Sequence, residues 1–314
     1  MTSRTDSPVP KRLLSPRYWP SWLGVGVLWL VARLPYAALY RLGRGLGWLT
    51  TRLPGNRRRV AERNLELCFP ELITQQREQL LRASLADLGM MLVEFALAWM
   101  GSNRAIARVP CVFEGLEHLQ TCRDRGLGVL LVGAHFSHLE LCARLVSQRI
   151  RIAGMYRVMD NPVFEHVVLN ARLGYADAMF AKQELRASVK YLKRGGTLWY
   201  APDQDMRGKD SVFVPFFGVP ASTITATHHL ARLSGAVVMA FHHARNANGD
   251  GYVIRLQAPL ENFPTDNVVA DTARVNAAIE TMVRAAPTQY LWVHKRFKTR
   301  PPSASPSNIY AAAD

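Results

Sequence analysis

The stretch GVLLVGAHFSHLE, residues 128–140, decides how the chain is expected to fold. Its opening, residues 128–132, is a short apolar run typical of a buried strand, and residues 139–148 have the pattern of a helix. In α/β folds, functional sites form at the carboxyl ends of strands. The sequence therefore places a histidine and a carboxylate, His135 and Glu140, at a candidate site.

These two side chains can meet only in one local arrangement. On a continuous helix, residues five apart differ by roughly 140° and point in different directions. His135 is therefore expected to lie in the turn before the helix that carries Glu140. There the carboxylate would hold the imidazole in one tautomer, and the other ring nitrogen would be free to accept a proton from an attacking hydroxyl.

A metal site is the alternative interpretation of the same residues. Zinc sites do use histidine and carboxylate ligands, and His135, His138 and Glu140 offer both. However, the spacing is not the HExxH pattern, and no Cys/His cluster elsewhere in the sequence supplies further ligands. The pattern thus favours acid–base chemistry without a metal, and His138 is expected to pack or to face solvent.

Outward from this stretch, apolar runs and helical patterns alternate along the chain. This alternation predicts an α/β fold with a mainly parallel central sheet covered by helices on both faces. Residues 56–100 also have a helical pattern with a broad apolar face. The predicted strands are 128–133, 151–156, 197–202, 236–242 and 252–258, and the predicted helices are 139–149, 162–173, 183–194, 222–234 and 267–286.

Several polar side chains follow predicted strands or lie in the helices that come next. Because strand ends converge on one rim of a sheet, these groups are expected near His135. Arginines there would suit a phosphorylated substrate. The stretch VFVPFF at 212–217 is expected to be an apolar loop that could accommodate a long acyl chain. The candidate substrate-binding residues are Arg157, Asn161, Arg172, Asp203 and Asp205.

Charge indicates an acidic partner. The formal net charge is +15 and the pI is about 10.1. Residues 1–60 hold eleven Lys or Arg and one acid, so most of the excess lies there. Because this charge is interleaved with apolar and aromatic residues, it favours a membrane surface, and no nucleic-acid signature is present. The four cysteines show no paired spacing, which fits a reducing compartment.

The N-terminal region is predicted to anchor the chain. Residues 1–17 are polar and expected to be disordered, and residues 18–55 form a tryptophan-rich anchoring or interfacial segment. Its uninterrupted apolar part is shorter than the roughly 20 residues of a spanning helix, although counting through Arg33 it could span with snorkelling. A secretory signal peptide is the rival, but the arginines that follow favour an uncleaved anchor with a cytoplasmic catalytic region. Residues 56–300 form the main domain, and 301–314 a flexible tail.

Several longer motifs resemble one known family. The chain is similar to the lipid A late acyltransferases, the lauroyl and myristoyl transferases of Gram-negative bacteria, from about residue 20 to 298. The family belongs to a lysophospholipid-acyltransferase-like superfamily. The matching stretches are RNL at 63–65, FPE at 69–71, AHFSHLE at 134–140, YR at 156–157, NP at 161–162, WYAPDQD at 199–205, SVFVPFFG at 211–218 and QYLWVHKRFK at 289–298.

This resemblance implies a fold and a reaction. The expected fold is glycerol-phosphate-acyltransferase-like, with an N-terminal membrane-anchoring helix and an active site facing the cytoplasm at the inner membrane. The family moves an acyl chain from acyl carrier protein to a hydroxyl of a phosphorylated lipid A precursor of the Kdo-lipid IVA type, without a cofactor. The family's general base and its orienting acid fall on His135 and Glu140, and two further functional residues fall on Arg172 and Asp203.

Other functions stay open at this stage. Val158-Met159-Asp160 and Met206-Arg207 depart from the usual family wording, so the acceptor and the acyl chain length are not fixed. Relatives in the superfamily acylate ornithine lipids and phosphatidylinositol mannosides. A thioesterase would use water in place of the lipid hydroxyl. A non-catalytic lipid-binding protein on the membrane surface is the alternative of a different class, although binding alone needs no base–carboxylate pair.

Overall fold

The computed structural model describes residues 8–52, 55–304 and 308–311. Its centre is a seven-stranded sheet with the strand order β1-β9-β8-β2-β5-β3-β4. The strands of this sheet are β1 Cys111–Glu114, β2 Val129–Val132, β3 Ala153–Tyr156, β4 Met179–Ala181, β5 Thr197–Tyr200, β8 Val237–Arg245 and β9 Tyr252–Pro259. Two further strands, β6 Ser211–Phe216 and β7 Val219–Ile224, form a separate antiparallel hairpin.

The sheet is mainly parallel, as the alternation of strands and helices predicts. Strands β8, β2, β5, β3 and β4 all run in one direction. Strand β9 pairs antiparallel with β8, and β1 pairs parallel with β9. Strand β2 therefore lies in the interior of the sheet, where all four of its residues are buried. This explains why its sequence is apolar throughout rather than alternating.

Eleven α-helices in the described part of the chain surround the sheets. They are α1 Trp19–Val31, α2 Tyr36–Thr50, α3 Asn56–Cys68, α4 Thr74–Met100, α5 Asn103–Ile106, α6 Leu116–Asp124, α7 Leu139–Val146, α8 Pro162–Tyr175, α9 Leu185–Lys193, α10 Ala226–Ser234 and α11 Val268–Ala285. Two hydrophobic cores result. Leu130 and Val132 point into one with α3, α10 and α11, and Val129 and Leu131 point into the other with α4, α6 and α7.

The predicted anchor region, 18–55, forms two short helices rather than one long one. Helix α1 has 13 residues and α2 has 15. Pro35 separates them, because proline disfavours helical backbone in the residue before it. Nowhere in the described ranges is a helix long and apolar enough to cross a membrane. The spanning alternative that the sequence left open for this region is therefore not found in the described chain.

Helix α2 belongs to the packed body of the protein. A Cβ atom added at Gly89 of α4 would lie 2.1 Å from the Gly47 nitrogen, and one added at Gly47 would lie 2.1 Å from the Ala86 oxygen. The two helix backbones thus approach as closely as only glycine allows. Leu39 of α2 is buried in the same core as Met90 of α4.

Both chain ends are more ordered than predicted where the structure describes them. Residues 1–7 lie outside the described part, but residues 8–17 include two 3₁₀ helical turns, and Leu13 is buried. In the predicted flexible tail, Ile309 and Tyr310 are buried against the core. Residues 305–307 and 312–314 lie outside the described ranges.

The stretch at 212–217 is not a loop. It forms most of β6, whose partner β7 occupies residues predicted as the start of a helix, so that helix begins only at Ala226. Strands β1 and β4 were also absent from the prediction, and they have four and three residues.

Candidate active site

His135 and Asp203 meet at the carboxyl edge of the parallel sheet. Strands β2 and β5 are neighbours, and Val132 lies opposite Tyr200 at their ends. His135 and Asp203 each follow three residues later, so the two chains leave the sheet side by side. The His135 Nδ1 atom lies 2.6 Å from Asp203 Oδ1, and the His135 backbone N–H donates to Oδ2 at 3.0 Å.

The two members of this pair shift each other's pKa in opposite directions. The Asp203 side chain is 1% exposed and that of His135 is 29% exposed. Burial acts to raise the pKa of Asp203, but the attraction of His135 and two hydrogen bonds from that residue outweigh it and lower the pKa to about 2. Burial likewise acts to lower the pKa of His135, and the charge of Asp203 overcomes it and raises the pKa. Asp203 therefore stays ionised, and it holds the His135 imidazole in one orientation and one tautomer.

Glu140 does not orient His135, contrary to the prediction. It forms a two-point ion pair with Arg172, with Arg172 Nη2 at 2.5 Å from Oε1 and Nε at 3.2 Å from Oε2. Trp99 Nε1 donates a third hydrogen bond, at 2.7 Å. The reason is geometric, because Glu140 lies on the first turn of α7 and faces α8 and α4. The predicted pair is thus replaced by two pairs, His135 with Asp203 and Glu140 with Arg172.

The loop that carries His135 is held by a segment near the end of the chain. The Leu291 N–H donates to the His135 carbonyl at 3.0 Å, and the Ser137 N–H donates to the Gln289 carbonyl at 2.9 Å. The Ser137 hydroxyl also donates to Asp87 of α4. These contacts fix the loop from two sides. The motif at 289–298 signals this segment in the sequence, but its position against His135 is a tertiary feature.

Behind the loop lies a buried ion cluster that sequence reasoning missed. Arg245, at the end of β8, pairs with Asp87 and, at 2.8 Å, with Glu94. Tyr252 donates a hydrogen bond to the same glutamate. Burial acts to raise the pKa of Glu94, and the net shift is upward despite the nearby guanidinium. No local pattern marks these residues, since they come from three separate elements.

An apolar cavity of about 410 Å³ opens beside His135. Glu140, Arg157, Arg172 and Lys182 contribute its charged lining. Trp199 and Tyr200 also line the cavity, and two of their polar atoms, Trp199 Nε1 and Tyr200 Oη, are buried without a hydrogen-bond partner among the described residues. Its apolar wall includes Met91, Phe95, Leu139, Ile152, Ala153, Met155, Met179 and Phe241. This volume and lining are typical of a site for an apolar ligand with a few polar groups.

The remaining predicted substrate-binding residues have different positions. Arg157 lines the cavity, and its side chain is 72% exposed. Asn161 caps α8 and donates to Ser21 of α1 at 2.9 Å, so its side chain serves local structure. Asp205 accepts two hydrogen bonds from Thr299, both at 2.9 Å. The structure therefore gives Asn161 and Asp205 structural contacts rather than places in the cavity wall.

The metal alternative built on His135, His138 and Glu140 does not correspond to a cluster in the described chain. His138 is fully buried, and its Nε2 atom lies 3.1 Å from the carbonyl of His243. It therefore faces away from the cavity, as the packing interpretation predicts.

Comparisons with known proteins agree on one family. A family model described as bacterial lipid A biosynthesis acyltransferase matches residues 8–299. The lipid A biosynthesis lauroyltransferase of Escherichia coli K12 is 43% identical over 290 residues, covering 92% of this chain and 94% of the relative. A lipid A biosynthesis acyltransferase of Haemophilus influenzae is 39% identical over 298 residues, covering 94% and 95%.

Two further comparisons extend this picture. The lipid A biosynthesis palmitoleoyltransferase of Escherichia coli K12 is 39% identical over 292 residues, covering 93% and 95%. Among solved structures, the 1-acyl-sn-glycerophosphate acyltransferase PlsC of Thermotoga maritima aligns with 14% identity and a TM-score of 0.39 over 70% of this chain and 86% of that one, a likeness too low to carry an argument. On the sequence matches, the chain belongs to the bacterial lipid A biosynthesis acyltransferases, a family of acyl-transferring enzymes.

Proposed function

We propose that this enzyme moves an acyl chain from acyl carrier protein to a hydroxyl of a phosphorylated lipid A precursor of the Kdo-lipid IVA type, in lipopolysaccharide biosynthesis. The observation that carries this proposal is a His135–Asp203 pair at the edge of an apolar cavity. The pair supplies a base and the cavity has space for an acyl chain. A binding protein would need only the second of these.

The chemistry follows from the tautomer that Asp203 imposes. With Nδ1–H donating to the carboxylate, His135 Nε2 carries a lone pair and accepts the proton of the acceptor hydroxyl as its oxygen attacks the thioester carbonyl. A C–O bond forms and the carbonyl electrons move to oxygen. When the intermediate collapses, the C–S bond breaks and the thiolate takes the proton back from Nε2. No metal and no acyl-enzyme are needed.

The oxyanion of the intermediate needs hydrogen-bond donors nearby. Trp199 and Tyr200 line the cavity, and Trp199 Nε1 and Tyr200 Oη are buried without partners among the described residues. Burial raises the pKa of Tyr200, with the charge of Asp203 acting in the same direction, so its hydroxyl stays protonated. Donors that are already in place cost little reorganisation when charge develops in the transition state. We assign one of them to the thioester oxygen, because consecutive residues of β5 point to opposite faces of the sheet.

The other site residues divide into two roles. Arg157 and Lys182 are the cations of the cavity lining that suit the acceptor's phosphates, because neither is part of the buried pairs. Arg172 is committed to Glu140, so we assign both to positioning α7 and α8 around the cavity. This replaces a direct phosphate contact for Arg172, and Glu140 supports His135 only indirectly.

We further propose that the enzyme works at the cytoplasmic face of the inner membrane, with α1 lying in the membrane interface. Trp19, Leu23, Val27 and Leu30 are exposed by 64%, 72%, 51% and 62%. They recur every three or four residues, so they share one face of the helix. Arginines flank this face, which suits an anionic lipid surface.

Replacing His135 tests the proposed reaction. His135→Ala should lower transfer from acyl carrier protein thioester to the lipid acceptor by about two to four orders of magnitude, because the general base is lost. His229→Ala, a change at an exposed histidine of α10, is the matched control and should leave the rate unchanged. Mass spectrometry of the lipid product measures both. Near-normal transfer by His135→Ala would refute the mechanism.

The acceptor is tested in the same assay. With the wild-type enzyme, omission of the lipid should leave the thioester intact. Free fatty acid formed at the rate of the complete reaction would identify a thioesterase. Transfer to an ornithine lipid, with none to the phosphorylated glycolipid, would identify a different acyltransferase.

A further inference from the structure

We propose that His138, Cys142 and His243 bind a zinc ion behind the catalytic loop. The three residues are fully buried, and one donor atom from each lies within 4.8 Å of the others. His138 and Cys142 come from the loop and helix that follow β2, and His243 comes from β8. The imidazole rings of the two histidines meet edge to face, with centroids 4.8 Å apart.

The hydrogen bonding of His243 points independently to a ligand. Its side chain is 0% exposed, yet neither ring nitrogen has a hydrogen-bond partner in the described part of the chain. Burying an unpaired polar group costs free energy, so native interiors rarely contain one without a reason. A metal ion would accept one imidazole lone pair and so give one of these two ring nitrogens a partner.

His138 is already arranged as a metal-ligating histidine. Its Nε2 atom lies 3.1 Å from the His243 carbonyl, which can only accept, so Nε2 carries the proton and Nδ1 the lone pair. Nδ1 lies 3.4 Å from the Ser137 hydroxyl, whose proton goes to Asp87. Metal-bound histidines commonly donate their other ring N–H to a backbone carbonyl in this way.

Cys142 supplies the sulfur ligand. It lies one helical turn after His138, and its backbone N–H donates to the His138 carbonyl at 3.0 Å, so the two side chains emerge on the same side. Thiolate and imidazole donors select zinc or copper over magnesium or calcium. Zinc with three protein ligands takes a water molecule at the fourth tetrahedral position.

The surrounding charges favour a divalent ion. Cys142 and His138 both interact electrostatically with Arg245. Arg245 is one cation paired with two carboxylates, Asp87 and Glu94, so this cluster can carry one negative charge. In that state the cluster and a Cys142 thiolate would together offset the two charges of Zn²⁺.

A metal here would brace the proposed active site. His138 follows the base His135 by three residues, and Cys142 follows Glu140 by two. An ion bound to His138, to Cys142 and to His243 of β8 would fix the start of α7 against the sheet. Its role is structural, because all three ligands lie away from the cavity lining.

Metal analysis of the intact protein tests this proposal. Untagged wild-type enzyme, made in zinc-supplemented cells and purified without chelator, should contain about one zinc ion per chain. Cys142→Ser should lose most of it, and Cys68→Ser, a change at another fully buried cysteine, should keep it. Wild-type protein without stoichiometric zinc would overturn the proposal, and copper in its place would overturn the choice of metal.

The absorption spectrum of cobalt-substituted protein is a second test of the site, independent of the zinc content. Wild-type enzyme from cobalt-supplemented cells should show a thiolate-to-cobalt charge-transfer band, which Cys68→Ser retains and Cys142→Ser lacks. His243→Met, which replaces the imidazole with an apolar side chain of similar size, should lower the zinc content as well. Equal zinc in wild type, Cys142→Ser and His243→Met would show that the metal is bound elsewhere and refute the site.

Discussion

At the scale of single residues, Asp203 sets the protonation state of His135. The carboxylate is buried and stays ionised, and its charge raises the pKa of the imidazole. A base with a raised pKa is protonated, and so inactive, over a wider range of acidic pH. The rate of transfer should therefore rise with pH through the raised pKa of His135 and reach its plateau above it.

Asp203→Asn tests this relation. Asparagine removes the attraction, so the pKa of His135 should fall and the acidic limb of the kcat/KM profile should move to lower pH. The plateau should fall by about 10²–10⁴, because the ring loses its imposed tautomer and its counter-charge. Asp266→Asn, a change at a 97% exposed carboxylate, is the control. A lower plateau with no movement of the acidic limb would contradict the electrostatic role.

Arg172 is predicted to act through the geometry of its guanidinium. Both of its contacts with Glu140 require a planar two-pronged donor, which lysine does not offer. Arg172→Lys should therefore remain impaired in transfer. Arg172→Ala should lower the free energy of unfolding by about 2–3 kcal/mol, less than for a fully buried pair, because its side chain is 19% exposed and Trp99 still binds Glu140.

A double-mutant cycle separates this pairing from other effects. Glu140→Gln should remove most of the additional cost of Arg172→Ala, because the interaction is already lost. Arg157→Ala is the matched control for stability, since its ion pair with Asp160 is exposed and contributes little. Wild-type stability and activity in Arg172→Lys would mean that the two-point contact is unimportant.

At the scale of secondary-structure elements, α1 has an apolar face that is exposed in the described part of the chain. Leu23→Ser combined with Leu30→Ser should weaken binding to anionic vesicles by about ten- to a hundredfold, since each leucine contributes roughly 1 kcal/mol when partly buried in lipid. Leu233→Ser on α10 is the control, because that leucine is equally exposed, at 61%. Vesicle sedimentation measures the binding of the wild type, the double variant on α1 and the control variant on α10. If the α1 double variant and the α10 control lost vesicle binding equally, the membrane-binding surface would lie elsewhere.

The elements that the sequence predicts well are those whose pattern is local. The buried strand β2 and the long helix α4 have such patterns. The hairpin β6–β7 does not, because Pro215 and Pro220 face each other across it and proline ordinarily interrupts strands. Strands β1 and β4 are too short for a periodicity to emerge.

In the candidate site, too, the sequence predicts the local features and not the long-range contacts. His135 follows from its position after a strand, which is visible in the sequence. Its partnership with Asp203, 68 positions away, follows from the adjacency of β2 and β5, which is a property of the sheet order. The nearby Glu140 was therefore the natural but incorrect choice of partner. The resemblance did mark Asp203 as functional, but it did not supply the contact.

At the scale of the whole molecule, helix α3 and the C-terminal tail meet at the segment that holds the His135 loop. Asn64 of α3 donates to the carbonyls of Trp292 and His294, at 2.6 and 2.7 Å, and so shapes the segment that holds the His135 loop. The Tyr310 hydroxyl donates in turn to the Asn64 side-chain oxygen. The C-terminal tail thus completes a buried network that includes α3 and the segment at 289–298.

Tyr310→Phe tests whether this tail stabilises the fold. The hydroxyl also accepts from the Phe297 N–H at 3.1 Å, so its removal leaves a buried donor and a buried acceptor unpaired. The expected cost is about 1–3 kcal/mol, which should lower the Tm by several degrees. Thermal unfolding followed by circular dichroism measures it.

Two further variants make the result specific to the tail. Tyr40→Phe is the control, because the Tyr40 hydroxyl forms no hydrogen bond with any residue that the structure describes, and it should leave the Tm unchanged. Truncation after residue 304 should lower the Tm further than Tyr310→Phe, since Ile309 and the Tyr310 ring are then lost from the core as well. Because the tail supports the segment at 289–298, the truncated enzyme should also lose activity at temperatures where the wild type is still folded. An unchanged Tm in both Tyr310→Phe and the truncated chain would mean that the tail does not dock on Asn64.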